Sequence, residues 1–477
     1  MKKRTLILII ILLGAATWAG ATYLVGSKVE KNYAALLEQY RRFGPISISG
    51  SNYERGFFHA TAETALHFEV PNPETQKADI PESLTIILQH RLKHGPFPGA
   101  APALATMTTH LTGIKVNGIT KDDLFDRFPQ LHQPLALTRI AFDGTTQSRL
   151  ELPPLSMVEN DVRFDWKGLD LKSTYFPTDK AIQGTFSTPG MRLKMENGQL
   201  DWSGGNGRFD LKKVLPSLYV GTQEISLGAF ALRFIPAATG EVQSLAVDNL
   251  NISANSRFDG RQVHYQQSLN LAGLKIEDQS YGPGLLTLEL NNLAAQPLSD
   301  FQTQLKELYL NNGRVTPEQL PAQLLPLYSQ LFIGLAAGEP EVVIRKLEFS
   351  TPKGSLDGRA RLKYTGHQSN TGMALLLAPV TLLQNLEADA ELSVAATLAQ
   401  AMVTSSLTNR MKTARANGTL AAYSDEDLAA LAEQQYRNQL EGLLQQNFIV
   451  REGNTLKAAI DFNQGTLKLN GRILPLL

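Results

Sequence analysis

The stretch "GTLKLNGRIL", residues 465–474, contains the pattern that decides the fold of this chain. Its apolar side chains, beginning with Leu467 and Leu469, share one parity, and the polar side chains between them take the other. Alternation with a period of two is typical of a strand that buries one face and leaves the other in water. Because Asn470-Gly471 tolerates the positive φ angles of a two-residue turn, the stretch predicts a β-hairpin.

The same pattern recurs along the chain, for example in "MRLKMENGQLDW" (residues 191–202) and "SLDGRARLKY" (residues 355–364). We predict a turn at each of nine Asn-Gly or Asp-Gly dipeptides: Asn117-Gly118, Asp143-Gly144, Asn197-Gly198, Asn206-Gly207, Asp259-Gly260, Asn312-Gly313, Asp357-Gly358, Asn417-Gly418 and Asn470-Gly471. The Gly-rich "WSGGNGRFD" (residues 202–210) lacks a following helix, so we interpret it as a hairpin tip and not as a ligand loop. The body is therefore predicted to be a long antiparallel β-meander.

Helical signals interrupt this pattern near residues 316–336, 395–411 and 424–446. Thr316 is the expected N-cap of the first of these helices. Ser424 opens a Ser-x-x-Asp cap for the last helix, which we expect to lie on the sheet. That helix carries a predicted apolar stripe of Leu428, Leu431, Leu440, Leu443 and Leu444. The predicted fold class is thus mainly β with a helical insertion, behind an N-terminal transmembrane helix.

The amino terminus carries the signal for location. Three basic residues precede Thr5–Val25, a stretch without a charged residue that is long enough, at about 1.5 Å per residue, to cross a bilayer as a helix. The positive cluster predicts a cytoplasmic stub (residues 1–4), and the rest of the chain is then exported. We expect a transmembrane anchor at residues 5–25, a juxtamembrane helix at 26–45 and an exported β-rich body at 46–477. Ala19-Gly20-Ala21 leaves open the alternative of a cleaved signal peptide.

Composition excludes several classes of function. The 45 basic and 45 acidic residues cancel, which argues against nucleic acid as a partner. The chain has no cysteine, so disulfides, thiol nucleophiles and cysteine-ligated zinc are excluded. No phosphate-binding loop, nucleophile elbow, zincin helix or calcium loop is present in the sequence. We therefore predict no catalytic residue, no cofactor and no metal site.

The stretch "RLKHGPFPGA", residues 91–100, lies at the one arrangement that invites a metal interpretation. His90 directly precedes the stretch and His94 lies in it, so the two histidines are four residues apart. The residues before them alternate as a strand does, and in a strand positions i and i+4 lie about 13 Å apart. Two such histidines cannot share an ion. We interpret the stretch as a strand that stops at a sharp corner, with His94 hydrogen-bonded there.

Three segments carry a resemblance to a known family: "NYERGFFHATAETALHF" (residues 52–68), "HGPFP" (94–98) and "NQGTLKLNGR" (463–472). Together with an N-terminal anchor, they resemble the YdgA family of Gram-negative envelope proteins, which is classed as a domain of unknown function. The resemblance implies seven signature residues, which we expect to be structural, with Tyr53 and Arg55 near the corner. The signature residues are Tyr53, Arg55, Gly56, His94, Gly95, Pro96 and Phe97.

The expected function follows from the predicted location in the cell envelope and from the absence of a recognisable catalytic motif in the sequence. We expect a protein anchored in the bacterial inner membrane through residues 5–25, with its body in the periplasm. It would lack catalytic activity and support envelope assembly or integrity, with a homodimer as one arrangement. One alternative is a lipid-binding or lipid-transport protein with an apolar β groove and a lipid ligand. The other is an enzyme whose residues are scattered in sequence.

Overall fold

A computed structural model describes the chain from residue 22 to residue 474, with several gaps. The gaps are residues 32, 36, 39–40, 44–45, 70–82, 96, 100–101, 236–241, 312–319, 367–382 and 418–422. The predicted stub 1–4 and most of the predicted span 5–25 lie outside the described residues. Within the described part, no helix is both long and apolar enough to cross a bilayer.

The described residues are mainly β, as predicted, and most strands are joined to the next by short turns. The first fifteen strands are β1 Arg42–Phe43, β2 Ile46–Arg55, β3 His59–Glu69, β4 Ser83–His94, β5 Ala105–Val116, β6 Ile119–Thr120, β7 Pro134–Ile140, β8 Thr146–Leu152, β9 Leu155–Glu159, β10 Val162–Trp166, β11 Leu169–Phe176, β12 Ala181–Thr188, β13 Met191–Met195, β14 Gly198–Trp202 and β15 Gly205–Leu215. The others are β16 Leu218–Leu227, β17 Phe230–Phe234, β18 Gln243–Val247, β19 Leu250–Phe258, β20 Gln262–Leu271, β21 Leu274–Ile276, β22 Gln279–Tyr281, β23 Gly284–Ala294, β24 Glu341–Thr351, β25 Gly354–Tyr364, β26 Leu386–Ala395, β27 Val450–Glu452, β28 Thr455–Asn463, β29 Thr466–Leu469 and β30 Arg472–Leu474.

The chain divides into two compact units. The first unit comprises Met1–Leu193, Gly204–Tyr219 and Gln302–Leu324, and the second comprises Lys194–Ser203, Val220–Phe301 and Leu325–Leu477. In the first unit each long strand pairs antiparallel with the next, in the order β1, β2, β3, β4, β5, β7, β8, β11, β12, β15. In the second the order is β16, β19, β20, β23, β24, β25, β26, β28, β29, β30. This sequential order confirms the predicted meander.

A short hairpin is inserted between two long strands at four places in the chain. The insertions are β9–β10 after β8, β13–β14 after β12, β17–β18 after β16 and β21–β22 after β20. A break of two residues separates each short strand from the neighbouring long strand, and the short strands pair with other short strands. The breaks are Pro153-Pro154, Lys167-Gly168, Pro189-Gly190, Ser203-Gly204, Gly228-Ala229, Asp248-Asn249, Ala272-Gly273 and Gly282-Pro283. We call these breaks the strand corners.

One strand corner corrects the interpretation of "WSGGNGRFD" as a hairpin tip. Gly204 lies between β14 and β15 with a φ angle of +96°, where the chain passes from a short strand to a long one. Glycine adopts positive φ without the steric cost that a Cβ imposes, so the corner can turn sharply there. The tip of the inserted hairpin is instead at Glu196-Asn197.

The turn dipeptides were partly predictive. Four of them occupy loops between consecutive strands, as expected: Asn117-Gly118, Asp143-Gly144, Asp259-Gly260 and Asn470-Gly471. At Asn197-Gly198 the turn is also present, with Asn197 in the turn and Gly198 as the first residue of β14. The prediction was wrong at Asn206-Gly207 and Asp357-Gly358, which lie inside β15 and β25. Both glycines stand opposite a large side chain, Phe186 and Leu392 respectively, so each makes room across the sheet. Asn417 caps a helix, while Gly418 and Asn312-Gly313 lie outside the described residues.

Besides a 3-10 helix at Pro129–His132 and two helical residues at 383–384, six α-helices lie in the described part of the chain. They are α1 (residues 22–31, 33–35 and 37–38), α2 Asp123–Arg127, α3 Ala295–Asn311, α4 Leu320–Ala336, α5 Ala396–Ala416 and α6 Asp425–Gln445. The expected helix at 26–45 ends earlier, because the chain has entered β1 by Arg42. The proposed N-cap Thr316 lies outside the described residues, and α3 was not predicted. Its apolar residues Leu298, Phe301 and Leu305 have helical spacing. The prediction of strands for this region overlooked that spacing.

Helix α6 confirms its predicted cap but not its predicted packing. The Ser424 hydroxyl accepts a hydrogen bond from the Asp427 N–H, and the Asp427 carboxylate accepts one from the Ser424 N–H. The buried residues are Leu428, Ala432 and Tyr436, whereas Leu431 and Leu443 of the predicted stripe are exposed. Helix α6 packs mainly on α5, and α5 covers β25, β26 and β28. An alanine and a tyrosine thus belong to the inner stripe, which a search for leucines misses.

Candidate functional site

Helix α1 lies on strands β2–β5 of the first unit and brings the amino-terminal and corner segments together. Its inner face is formed by residues at helical spacing: Thr22, Gly26, Val29, Tyr33 and Leu37. Val29 and Tyr33 pack on the buried side chains of Ala60, Ala62 and Leu92. We call α1 together with the surface of β2–β5 and the loops that it contacts the helix dock.

At the end of the helix dock nearest Thr22, close backbone contacts form that only small residues permit. A Cβ atom at Gly26 would lie 2.6 Å from Cε1 of His94, so the bare helix backbone rests on the imidazole ring. Gly95 has a φ angle of +120°, and a Cβ atom there would lie 3.0 Å from Oγ1 of the buried Thr22. Two glycines, one on the helix and one at the corner, therefore set how closely the two segments approach.

A chain of polar contacts connects the helix to the interior of the sheet. The Tyr33 hydroxyl donates to the Glu63 carbonyl at 3.0 Å and lies 2.9 Å from the Thr64 hydroxyl. The His90 ring continues the chain, with Nε2 2.9 Å from the same Thr64 hydroxyl and Nδ1 2.9 Å from the Thr109 hydroxyl. Both nitrogens of this buried ring are thus occupied, so His90 joins the helix to three strands.

Tyr53 and Arg55 contact α1 at different points along its length. The ring of Tyr53 lies 5.4 Å from that of Tyr33. The Arg55 guanidinium contacts the Glu30 carboxylate at 3.1 Å and lies 4.7 Å from the centre of the Tyr23 ring. An exposed ion pair contributes little to stability by itself, usually about 0–1 kcal/mol. The contribution of Arg55 is therefore mainly to orientation, through contacts with two residues that lie about two turns apart on the helix.

The corner itself ends strand β4 beside the β2–β3 turn. Gly56 begins this turn, and its N–H donates to the His59 carbonyl at 2.8 Å. A pocket of about 390 Å³ is lined by Phe58, His59, Lys93, His94, Gly95, Phe97 and Pro98. Phe57, Phe58 and Phe97 are exposed. The structure thus brings six of the seven signature residues to one end of the helix dock, and Pro96 lies outside the described residues.

Burial holds both histidines toward their neutral forms. It lowers the pKa of His90. It also lowers the pKa of His94, against smaller opposing contributions from the backbone of His59 and Thr22. Contrary to the expectation of a hydrogen-bonded His94, neither of its ring nitrogens makes a well-formed hydrogen bond with a described residue. Both histidines lie in β4, as predicted, and no group of three or more His, Asp or Glu side chains suited to a metal occurs among the described residues.

A second concave surface lies on the polar face of the second unit, on β19, β20, β23 and β24. This pocket of about 430 Å³ is lined mainly by polar side chains. Arg345 contacts Glu289 at 2.8 Å, and this hydrogen bond lowers the pKa of the Glu289 carboxyl. Arg361 contacts Glu341 at 2.6 Å. Paired charges of this kind are typical of a solvated sheet face, so we do not assign a reaction to this pocket.

The helix side of the dock was missed in the sequence. The spacing of Thr22, Gly26, Tyr33 and Leu37 is visible there, but the prediction of an anchor at residues 5–25 and a juxtamembrane helix at 26–45 assigns no face of the helix to the body. A glycine four residues after a threonine, inside a helix that continues outward, was the available signal that one face is packed closely.

The fold and the dock define a class of protein: an antiparallel β-meander whose amino-terminal helix is packed against its first strands. The chain belongs to the family described as bacterial protein of unknown function (DUF945), whose model matches residues 1–476. It is 23% identical to Protein YdgA of Escherichia coli (strain K12) over an alignment of 508 residues, and the alignment covers 98% of this chain and 94% of that protein. It is also 22% identical over 331 residues to an uncharacterized protein of Haemophilus influenzae (strain ATCC 51907 / DSM 11121 / KW20 / Rd), over 63% of this chain and 85% of that protein. The resemblance to the YdgA family is thereby confirmed.

The contact between Gly26 and His94 leads to a prediction for the variant Gly26→Ala. In a free helix this change would stabilise by about 1 kcal/mol, but forcing a methyl group onto a buried ring costs about 1–3 kcal/mol. We expect the clash to win, with a net loss of about 1 kcal/mol in the free energy of unfolding measured in urea. Gly442→Ala in α6 is the matched control, because a Cβ atom there meets nothing within 4 Å. Equal stabilisation by both changes would contradict the close packing.

The lowered pKa values predict how stability depends on pH. The unfolded histidines bind protons below about pH 6.5, while the folded ones resist protonation, so stability is complete above that pH and falls as acid is added. We expect the melting temperature to drop between about pH 7.5 and pH 5, and to drop less in His94→Gln. His132→Gln, at an exposed histidine, is the control. Identical pH profiles for the native chain and His94→Gln would exclude His94 as a source of the effect.

Proposed function

We propose that the chain is a single-pass protein of the bacterial inner membrane, with its amino terminus in the cytoplasm and its β-rich body in the periplasm. One observation carries the proposal. The last four residues of the uncharged stretch Thr5–Val25 form the first turn of α1, and α1 is packed on the body from Thr22 onward. A helix held in this way would fix the body at the membrane surface instead of leaving it on a free tether.

We further propose that the body acts without catalysis, by supporting the assembly or integrity of the envelope. The signature residues that are described serve to pack a helix and shape a corner, and none is placed as a nucleophile with an adjacent base. This pattern is typical of residues kept for architecture. The ion pairs of the polar sheet faces are likewise arranged strand to strand, as between Arg149 and Asp170 or Arg359 and Glu391.

Carbonate extraction of cell membranes tests the anchor, combined with mass spectrometry of the intact chain. We expect the chain to stay with the membrane and to retain residues 1–21. Recovery of a soluble species that begins at Thr22 would refute the anchor and favour a cleaved signal peptide. Proximity labelling from the carboxyl terminus then tests the supporting role. Labelled envelope proteins or a second copy of the chain are expected, and labelling of neither would count against it.

A second candidate function is lipid binding, and one feature of the second unit favours it. Apolar residues stand directly opposite one another across five neighbouring strands, and they are half-buried, not covered. One such row is Ile225, Ile252, Leu269, Leu286 and Leu347. In a parallel row, Leu227, Leu250 and Leu271 are followed by Gly284 and then Phe349. Helix α5 covers β25, β26 and β28, beyond these rows. An apolar sheet face of this kind suits acyl chains.

Lipid mass spectrometry of the purified chain tests this candidate. We expect phospholipid to co-purify with the native chain and to be lost from Leu269→Asp, because a carboxylate in the middle of an apolar row opposes acyl-chain contact. Asn270→Asp is the matched control, since the next residue of the same strand is exposed on the other face. Equal lipid content in the two variants, with both folded by circular dichroism, would exclude this face as the lipid site.

A further inference from the structure

The end of the helix dock nearest residue 21 carries an unusual amount of exposed apolar surface. Phe57 and Phe58 form the β2–β3 turn with their rings 4.7 Å apart, and both are exposed. Phe97 lies on the same pocket as Phe58 and is 65% exposed. Leu24 and Tyr23, in the first turn of α1, are also exposed. A solvated surface rarely gathers so many large apolar side chains, so such a patch marks an interaction surface.

The position of this patch along α1 identifies what it faces. Thr22 belongs to the uncharged stretch Thr5–Val25, yet its side chain already contacts Gly95 of the corner. The corner therefore lies level with the last turn of the stretch, which extends only about 4.5 Å beyond Thr22. If residues 5–25 span the bilayer, as the proposed function requires, the corner lies at the membrane surface.

The side chains have the chemistry of a bilayer interface. Aromatic rings concentrate at the level of the lipid headgroups, and lysine side chains reach toward lipid phosphates. Lys93 is exposed and lines the same pocket as Phe58 and Phe97. We propose that Phe57 and Phe58 of the turn at residues 56–58, together with the neighbouring Phe97, insert into the outer headgroup region of the membrane, with Lys93 directed to the phosphates. This inference rests on the anchored arrangement of the proposed function.

The first unit provides a matched reference position. Strands β4 and β5 run from the corner to the turn at Asn117-Gly118, and each contains 12 residues. At about 3.3 Å per residue, the far end of the strands lies roughly 35–40 Å from the corner. Ile119, just after that turn, is 64% exposed and so resembles Phe97 in exposure. It should be in water when Phe97 is in lipid.

The chain contains no cysteine, so one introduced cysteine can be labelled specifically without first replacing native cysteines. We would reconstitute the full-length variants Phe97→Cys, Phe57→Cys and Ile119→Cys, each with a nitroxide label, into vesicles of phosphatidylethanolamine and phosphatidylglycerol. Power-saturation electron paramagnetic resonance then compares the access of oxygen, which concentrates in lipid, with that of a water-soluble nickel chelate. We expect the oxygen-to-nickel ratio at positions 97 and 57 to exceed that at 119 several-fold.

Flotation of the same vesicles separates the two levels of the proposal. A chain that floats but shows the same low ratio at all three positions would overturn membrane contact by the corner and leave the anchor intact. A chain that does not float would overturn the anchor, and the inference about the corner with it. A high ratio at position 119 alone would place the opposite end of the strands at the lipid and would also overturn the inference.

Discussion

Replacement of Gly204 by alanine is expected to destabilise the first unit by roughly 3 kcal/mol or more, the largest effect that we predict for one substitution. Gly204 has a φ angle of +96°, where a residue with a Cβ atom is strained. A Cβ atom there would also overlap the Thr188 carbonyl oxygen and lie 2.7 Å from the carbonyl carbon of Pro189. Both are backbone atoms, one in the last residue of β12 and one in the strand corner that follows it, so neither can move aside as a flexible side chain would.

Gly260→Ala separates the two contributions. Gly260 has a similar φ angle of +102°, but a Cβ atom there meets nothing within 4 Å. This control should show the conformational strain alone, of about 1–3 kcal/mol. Urea unfolding followed by circular dichroism measures both variants. If the two lose the same stability, the close approach of the two corners contributes nothing, and our account of the strand corners is wrong.

Leu428→Ala is expected to have the second largest effect. The Leu428 side chain of α6 is 0% exposed. Truncation of a fully buried leucine to alanine lowers the free energy of unfolding by about 2–5 kcal/mol. Leu431, three residues later on the same helix, is 37% exposed, and its change to alanine should alter stability by only about 0.5 kcal/mol. Thermal unfolding of the two variants tests which face of α6 is inside. A larger loss for Leu431→Ala would restore the stripe of leucines that the sequence suggested.

Most of the meander could be predicted from the sequence, because strand alternation and turn residues are local patterns. Alternation in "GTLKLNGRIL" and the turn at Asn470-Gly471 concern residues that are neighbours in the chain, and there β29 and β30 form as predicted. The same reasoning failed at Gly207 and Gly358, where the glycine stands opposite a large side chain on the neighbouring strand. A dipeptide alone cannot distinguish a turn glycine from one that makes room for Phe186 or Leu392.

The helix dock was out of reach for a related reason. The sequence predicted a strand ending at His94 and a corner at Gly95, and both are present. What it lacked was the partner: Gly26 and His94 are far apart in the chain, and nothing local links them. His94 was expected to form a hydrogen bond, and instead its ring serves as a flat surface for a helix backbone. Such a contact depends on shape, which one sequence does not record.

The position of the helix dock within the chain has a consequence for how the protein is made. The described side chains that form the dock and its polar contacts lie between Thr22 and Thr109, and strands β2–β5 each pair with the strand next to them in the chain. Pairings of this local kind form quickly, and the amino-terminal part of a growing chain can fold before the rest leaves the ribosome. The helix can therefore be seated while most of the chain is still untranslated. Strands β7, β8, β11, β12 and β15 of the first unit can then each be added to a sheet edge that is already in place.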